Sequence, residues 1–543
     1  MRPARTRIAD VAAVILLVAI PLVPGVLASG TAAALVRIPV ESLIVVLLLA
    51  LLPWRAARVV VVAVFGVVVV AALLLAGIDA GYEAVLDIPF DPTNAQQLGD
   101  AFGVVQDAIG GWAVVLVVGI VVLGLATLVA LGASALRVDG MLRRHRRGGA
   151  IATTAVTAAW VIGALVGSQL VAGQPAAAAA SLDAIGRSAA QAQTSAAAQA
   201  ALPQQVASDP YKGVPGSDLL PRLRGKDVLF VFVESYGQVA VQGTSFSPVV
   251  VDTLHQGEAQ LAAEGYSARS AWLTSPTFGG LSWLAHSTLQ TGLWIDRQPI
   301  YSRVIRTDRF TLSDAFGKAG WSTVSDVPSD THPWSYATSF YHYGTSYDDG
   351  NVGYAGPSFG YARIPDQYTL KYFADHQLAG DHPPVMAEID LVSSHTPWAP
   401  LPQIVPWDRI GDGTIYAPQP AQSQPSSVVW RDPAQVQEYY GQSVQYSMNA
   451  LFSFLKNVDD PNLVVVALGD HQPATIVSGT GANHQVPISI IAKDPAVTDA
   501  IAGWRWQDGL LPTRSAPSWR MDAFRDRFLD AYGTGAPPSR RAP

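Results

Sequence analysis

Long apolar stretches fill roughly the first third of this 543-residue chain, and they restrict its fold more than any other feature. Each stretch holds about 20 mostly apolar residues, enough at about 1.5 Å per residue to cross a hydrocarbon core of roughly 30 Å. The five stretches lie near residues 8–29, 35–53, 58–77, 112–136 and 151–172. We therefore predict a transmembrane domain of five spans over residues 1–172.

Arginines flank these spans almost entirely on one side. Three groups precede the first span, separate the second from the third, and separate the fourth from the fifth: Arg2, Arg5 and Arg7; Arg55 and Arg58; Arg137, Arg143, Arg144, Arg146 and Arg147. Only Arg37 falls on the opposite side. Because positive residues remain on the cytoplasmic side, five spans would deliver the rest of the chain to the outside. We expect a multi-pass protein of the cell membrane whose C-terminal domain is extracytoplasmic.

Composition excludes several classes of function. The net charge is −7, and outside the membrane flanks the basic residues form no long patch, so nothing favours a nucleic acid as partner. The chain has no cysteine, which excludes disulfides, thiolate metal sites and cysteine nucleophiles.

Beyond the spans, an Ala/Gln/Ser-rich linker over residues 173–225 leads to a globular domain over 226–533, followed by a disordered tail over 534–543. Apolar strands alternate with amphipathic helices in the globular part. Strands are predicted to begin near Asp227, Arg269, Trp321, Pro384 and Asn462, with helices near 250–264, 279–291, 312–319 and 434–457. This pattern is typical of an α/β domain with a largely parallel sheet between helices.

Polar residues that can bind a metal follow three of these strands. Glu234 closes the first strand, Ser393, Ser394 and His395 close the one near residue 385, and Asp470 and His471 follow the one near 462. Ligands collect at the carboxyl ends of parallel strands, so we expect these residues to converge. Carboxylates with an imidazole suit one divalent metal, Mn²⁺ or Zn²⁺.

A candidate nucleophile lies between a strand and a helix. Thr277 precedes Gly279 and Gly280 at a predicted helix N-terminus, where free N–H groups favour an anion. A metal beside it would activate its hydroxyl. Ser275 and Ser282 are the competing hydroxyls.

The segments Phe232-Val-Glu-Ser-Tyr-Gly, Pro276-Thr-Phe-Gly-Gly-Leu-Ser-Trp, Ser393-Ser-His-Thr-Pro and Gly469-Asp-His resemble the lipoteichoic acid synthase branch of the sulfatase and alkaline phosphatase superfamily. That branch includes phosphoglycerol and phosphoethanolamine transferases. The resemblance implies that Glu234, Thr277, Asp470 and His471 bind the metal, and that Thr277 forms a phosphothreonine intermediate. It further implies that His395, Trp334 and His484 contact the substrate.

The resemblance implies transfer of a phosphoglycerol or similar head group from a phospholipid donor to a glycan or lipid acceptor of the cell envelope. The chain departs from lipoteichoic acid synthases at Tyr336, where those enzymes carry an arginine, and this leaves the head group open. A phosphodiesterase or phosphatase with the same residues is the first alternative, and a non-catalytic envelope sensor or scaffold is the second. Sulfate-ester hydrolysis is disfavoured, because the chain lacks the Cys/Ser-x-Pro-x-Arg motif.

Overall fold

The computed structural model describes residues 4–94, 112–361 and 363–534. The chain divides into two compact units, one formed by Met1–Ala84 and Ile88–Ala197, the other by Val85–Asp87 and Ala198–Pro543. The predicted disordered tail over residues 534–543 lies, apart from Thr534, outside the described residues.

Helices dominate the first unit. Its helices are α1 Ala4–Ala19, α2 Val23–Ser29, α3 Val40–Leu51, α4 Arg55–Leu86, α5 Trp112–Arg144 and α6 Arg146–Leu165, and α7 Ala180–Ala207 runs through the Ala/Gln/Ser-rich stretch into the second unit. Two short strand pairs accompany them, Ile38–Pro39 with Ala177–Ala178 and Gln169–Val171 with Gln174–Pro175.

Among the described residues, four helical segments are long and apolar enough to cross a membrane: Arg5–Ser29, Arg55–Ala84, Ala113–Arg144 and Arg147–Leu165. The second predicted span differs, because its helix α3 has 12 residues. Pro39 precedes this helix in an extended conformation, and Pro53 follows its C-cap Leu52. A proline disfavours helical geometry in the residue that precedes it. At about 1.5 Å per residue, α3 is shorter than the roughly 30 Å core.

A nine-stranded sheet forms the centre of the second unit. Its strands are β1 Asp227–Val233, β2 Ser267–Thr274, β3 Ser322–Val327, β4 Thr345–Asp348, β5 Val385–Leu391, β6 Leu463–Gly469, β7 Gln485–Ala492, β8 Gln507–Asp508 and β9 Ser518–Arg520. The order is β8-β2-β7-β6-β1-β5-β3-β4, with β9 paired to β2. The run β6-β1-β5-β3-β4 is parallel throughout, whereas β7 is antiparallel to both of its neighbours.

Helices cover both faces of this sheet. They are α8 Gly216–Leu219, α9 Ser247–Ala263, α10 Ser282–Thr291, α11 Gln298–Val304, α12 Leu312–Ala319, α13 Ser335–Ser339, α14 Asp366–Gln377, α15 Ser426–Val429, α16 Pro433–Asn457, α17 Thr475–Ser478, α18 Pro495–Asp499 and α19 Asp522–Tyr532.

Strand β1 is apolar from Val228 to Val233, and its packing gives the reason. Phe230 and Phe232 pack into a core with residues of α10, α12 and α19, while Leu229 and Val231 pack into a second core with residues of α9, α14 and α16. Alternate side chains of a strand point to opposite faces, and here both faces are buried. The predicted α/β class, with apolar N-terminal helices and a largely parallel sheet, is confirmed.

Candidate active site

Three predicted metal ligands meet at the carboxyl edge of the sheet. Glu234 directly follows β1 and Asp470 and His471 directly follow β6, and these parallel strands are neighbours with Val233 paired to Gly469. One ligand atom from each residue lies within 4.8 Å of the others, and all three residues are buried. The Nε2 atom of His471 is 3.3 Å from Glu234 Oε1 and 3.4 Å from Asp470 Oδ2.

The backbone around these residues fixes their orientation. Ser235 has a φ of 55°, an uncommon conformation for a residue other than glycine, and its N–H donates to Asp470 Oδ1 at 2.7 Å. The N–H of His471 donates to the same oxygen at 2.7 Å. The Nδ1–H of His471 donates to the carbonyl of Gln472 at 2.8 Å, so Nε2 is the ring nitrogen that faces the carboxylates.

These residues fit a divalent cation. The Asp470 Oδ2 atom is buried and has no hydrogen-bond partner among the described residues. A buried carboxylate oxygen without a partner is costly, and a metal ion would satisfy it. Two carboxylates and one imidazole whose Nε2 faces them form, when the imidazole is neutral, a donor set suited to Mn²⁺ or Zn²⁺.

The three groups also shift one another's protonation. Burial raises the pKa of Asp470 to about 6, and repulsion from Glu234 adds to this effect. Burial by itself would lower the pKa of His471, but the charges of Asp470 and Glu234 raise it to about 9. Burial by itself would raise the pKa of Glu234, but the charge and hydrogen bond of His471 hold it well below its usual range. The cluster is a strongly coupled set of charges in a buried position.

Two hydroxyls contact this cluster. The Ser235 Oγ atom donates to Glu234 Oε1 at 2.8 Å, and the second contact comes from Ser282 at a helix N-terminus. The Ser282 Oγ atom donates to Glu234 Oε2 at 2.9 Å and lies 3.1 Å from His471 Nε2. Ser282 is the first residue of α10, where unpaired N–H groups favour an anion. The preceding residues Gly279, Gly280 and Leu281 all have positive φ, and at Leu281 this left-handed conformation is strained.

Thr277 lies earlier in the same turn and has different contacts. Its side chain is buried, and among the described residues its hydroxyl is within hydrogen-bonding distance of Ser275 Oγ, at 3.4 Å. Ser275 Oγ in turn donates to the carbonyl of Asp470 at 2.5 Å. Phe278 pairs with Gln472 as an isolated bridge, so the turn runs beside the exit of β6. The assignment of Thr277 as nucleophile stays a prediction.

His395 reaches the same edge from β5. Ser394 Oγ donates to the carbonyl of Glu234 at 2.6 Å, which ties the two strand exits together. The charge of His395 contributes to the lowered pKa of Glu234. The ring of Tyr361 stacks on the His395 imidazole, with 3.6 Å between ring centroids. His395 therefore lies beside the cluster, under an exposed aromatic ring.

Trp334 and His484 have other surroundings. The Trp334 ring packs against Tyr341, with 5.1 Å between centroids, and at the edge of the core on the α10 side of the sheet. The His484 carbonyl accepts the N–H of Ser275 at 2.9 Å, and its ring centroid is 5.3 Å from that of Phe278. His484 thus adjoins the turn that carries Thr277. Substrate contact by either residue stays a prediction.

Sequence reasoning missed a second polar cluster, formed by His286, Glu388 and Asp390. His286 lies one helical turn after Ser282, and the two acids alternate with apolar residues inside β5. Charged residues at alternate positions of an otherwise apolar strand are a signal that could have revealed it, because their shared face must meet polar partners.

No family model matches the sequence, and no curated protein matches it. Solved structures do match. Lipooligosaccharide phosphoethanolamine transferase A, an integral membrane protein of Neisseria meningitidis, has 13% identity and a TM-score of 0.48, with 97% of this chain and 95% of that chain covered. The lipoteichoic acid synthase LtaP of Listeria monocytogenes has 14% identity and a TM-score of 0.36, with 59% and 75% covered.

The phosphoglycerol transferase GacH of Streptococcus pyogenes, solved with sn-glycerol-1-phosphate, has 13% identity and a TM-score of 0.37, with 62% of this chain and 80% of that chain covered. These three similar structures are thus a phosphoethanolamine transferase, a lipoteichoic acid synthase and a phosphoglycerol transferase.

Proposed function

We propose that this chain is a membrane-anchored, metal-dependent transferase that moves a phosphoryl-bearing head group from a phospholipid to an acceptor of the cell envelope. One observation carries the proposal: the Ser282 hydroxyl lies against Glu234 Oε2 and His471 Nε2, beside the unpartnered Asp470 Oδ2. A hydroxyl at a helix N-terminus, next to a metal-ligand set, is the arrangement that nucleophilic phosphoryl transfer needs. Two of the similar structures are named for activities of the same kind, phosphoethanolamine and phosphoglycerol transfer.

Two hydroxyls are candidates for the nucleophile. The sequence favours Thr277, and we propose Ser282, because its contacts to Glu234 and His471 place it at the ligand set. Thr277 is hydrogen-bonded to Ser275 and reaches the cluster through that residue's contact with the Asp470 carbonyl. A nucleophile needs its attacking atom beside the group that activates it, so the direct contact counts for more.

Glu234, Asp470 and His471 would hold the metal, Mn²⁺ or Zn²⁺. A bound divalent cation supplies positive charge that lowers the pKa of a nearby hydroxyl and neutralises phosphate oxygens. In the first step the Ser282 oxygen bonds to phosphorus, the bond from phosphorus to the diacylglycerol oxygen breaks, and the serine proton ends on that oxygen. In the second step the acceptor oxygen bonds to phosphorus, the bond from phosphorus to the Ser282 oxygen breaks, and the acceptor proton returns to that oxygen.

His395 and Tyr361 line the same edge and would contact the phosphate or its head group. The phospholipid is proposed as donor because the apolar helices of the first unit keep the catalytic domain at the bilayer, which raises the local concentration of lipid. A hydrolase differs only in the acceptor: if water enters in the second step, the same residues release a phosphomonoester. The identity of the product therefore separates the two functions.

The test uses the full-length protein with vesicles of phosphatidylglycerol or phosphatidylethanolamine labelled in the head group. We expect Ser282→Ala to lose at least about a thousandfold in turnover, equivalent to about 4 kcal/mol of barrier, and Thr277→Ala to stay within about tenfold of wild type. Ser287→Ala, a buried serine of the same helix, is the control for folding.

Fragment mass spectrometry of the trapped adduct identifies the labelled hydroxyl. Label on Ser282 supports the proposal. Label on Thr277 would instead support the prediction from the sequence, with a phosphothreonine intermediate. Absence of any adduct, with full turnover in both alanine variants, would contradict a covalent mechanism.

A further inference from the structure

We propose that His286 is a positioning residue for the Ser282 hydroxyl, acting through the helix that carries both. This inference rests on the proposed function and deepens it, because it assigns a role to a histidine outside the ligand set. The observations behind it are the contacts of one face of α10, the stacking of the imidazole ring, and the charges that surround it.

One face of α10 makes three successive polar contacts with the sheet. Ser282, His286 and Gln290 are spaced four residues apart, and residues at this spacing share a helix face. Ser282 Oγ contacts Glu234, whereas Gln290 Nε2 donates to Glu388 Oε2 at 2.5 Å. Between them, His286 Nδ1 donates to Glu388 Oε1 at 3.1 Å. These two hydrogen bonds to Glu388 therefore hold α10 against β5 immediately after the first turn of the helix.

The imidazole ring is also fixed against β1. It stacks on Phe232, with ring centroids 3.8 Å apart and planes inclined by 14°. Phe232 precedes Glu234 by two residues on β1, so both side chains lie on the same side of that strand. Phe232 pairs with Asp390 of β5, whose Oδ1 is 3.5 Å from His286 Nδ1. The His286 ring thus contacts both β1 and β5, at the position of Phe232, which precedes Glu234 along β1.

Charge strengthens this contact. Burial would lower the pKa of His286, but the facing carboxylates Asp390 and Glu388, with a smaller contribution from Asp470, raise it to about 10. Burial by itself would raise the pKa of Glu388, but the hydrogen bond and charge of His286 lower it. Burial raises the pKa of Asp390 well above its usual range. At neutral pH His286 is therefore an imidazolium that faces Glu388, and a charged hydrogen bond is about twice as strong as a neutral one.

Protein donors occupy both oxygens of Glu388. His286 donates to Oε1, and Oε2 accepts from Gln290 and from the Tyr343 hydroxyl at 2.7 Å. A carboxylate whose oxygens are already filled has little need of a metal ion. We therefore interpret His286 and Glu388 as an ion pair that holds α10. Asp390 Oδ1 is the oxygen of this cluster that is buried without a hydrogen-bond partner among the described residues, so the metal content of the protein tests this interpretation.

Two substitutions separate the contributions of His286. His286→Phe keeps a flat ring on Phe232 and removes the donor, whereas His286→Asn places an amide nitrogen near the position of Nδ1 and restores a neutral donor. Gln290→Met is the matched control, because it removes a neutral donor to the same Glu388 one turn farther from Ser282. Each full-length variant is assayed with the labelled phospholipid vesicle that the wild type turns over, and metal content and thermal unfolding are measured alongside.

We expect His286→Phe to lower kcat about 100-fold, with KM for the lipid and metal content unchanged, because a misplacement of about 1 Å can cost this much. His286→Asn should recover about tenfold of that loss. Gln290→Met should lower the unfolding temperature but keep kcat within about threefold of wild type. If His286→Phe does not accumulate as folded protein, His286→Asn decides alone: a kcat at least about threefold below wild type supports the inference.

Two results would overturn it. The first is a kcat within about threefold of wild type in folded, metal-loaded His286→Phe. If His286→Asn decides alone, the same limit applies to that variant. Such a result would leave His286 a purely structural residue. The second is two bound metal ions per wild-type chain with one lost in His286→Phe, which would make the cluster a metal site. Failure of the proposed function is seen separately, as full turnover in Ser282→Ala.

Discussion

Ser282 Oγ donates a hydrogen bond of 2.9 Å to Glu234 Oε2, joining the first turn of α10 to the end of β1 across 48 residues of sequence. This bond connects the candidate nucleophile to a candidate metal ligand, with the Ser282 hydroxyl proton between the two oxygens. His471 Nε2 lies 3.1 Å from the same hydroxyl, so Ser282 contacts groups from two neighbouring strands. The geometry makes four testable predictions beyond the experiments above.

Asp470→Asn should weaken metal binding at least about 100-fold, because it removes the charge and one oxygen of the carboxylate while keeping its shape. The buried Oδ2 without a partner is the atom affected. Isothermal titration of the metal-depleted protein with Mn²⁺ and Zn²⁺ measures the change. Asp326→Asn, another buried carboxyl, is the control and should bind metal as the wild type does. Equal affinity in Asp470→Asn would remove this residue from the ligand set.

Asp326 should make the fold less stable as pH rises. Burial raises the pKa of Asp326 to about 8, and its Oδ2 has no hydrogen-bond partner among the described residues. The folded state thus holds a proton that the unfolded chain releases above its ordinary pKa of 3.8. The stabilisation is fully present below that value and is lost as pH approaches about 8, by at most about 1.4 kcal/mol per pH unit.

Asp326→Asn cannot ionise, so its stability should depend less on pH. As pH rises from about 4 to about 8, the unfolding temperature of Asp326→Asn should increase relative to that of the wild type. Thermal unfolding of both proteins in one detergent, across this pH range, gives the difference. A constant difference at every pH would show that Asp326 does not carry the effect.

Asp209 should be important for stability. Its buried carboxylate accepts from Arg525 Nη1 at 2.8 Å and lies 3.2 Å from Arg309 Nη1, and both guanidinium groups are also buried. Asp209→Ala removes the carboxylate that the two buried cations share, with Asp526 remaining as an anion for Arg525, and should cost about 3–5 kcal/mol. Asp308→Ala removes an exposed ion pair to Lys212 and should leave the unfolding temperature nearly unchanged. Equal effects of the two substitutions would contradict this account.

Membrane topology is predicted from charge, and the short helix α3 makes it worth testing. A C-terminal tag should be accessible to protease outside intact cells, while a tag inserted at His145, between α5 and α6, should be protected. With four crossings instead of five, the two ends of the chain would share one side. Protection of the C-terminal tag would therefore place the second unit in the cytoplasm and exclude an envelope acceptor.

The amino-acid pattern was sufficient to predict the strands and helices that surround the site. Apolar runs mark β1 and β6 because a parallel strand covered on both faces needs apolar side chains at every position. The residues after those runs, Glu234, Asp470 and His471, could be identified as ligand candidates because the carboxyl ends of parallel strands lie at one edge. Their convergence follows from β1 and β6 being neighbours.

The pattern could not decide which hydroxyl reaches that edge. Thr277 lies between β2 and α10 and Ser282 is the first residue of α10, so the choice depends on where the helix begins. The left-handed Leu281 sets that point, and contacts with Glu234 and His471, distant in sequence, hold it. Likewise the bond of His286 to Glu388 spans 102 residues. Local sequence therefore determined the elements and their polar ends, whereas only the tertiary structure decided which side chains meet, because long-range packing fixes the angle and start of each helix against the sheet.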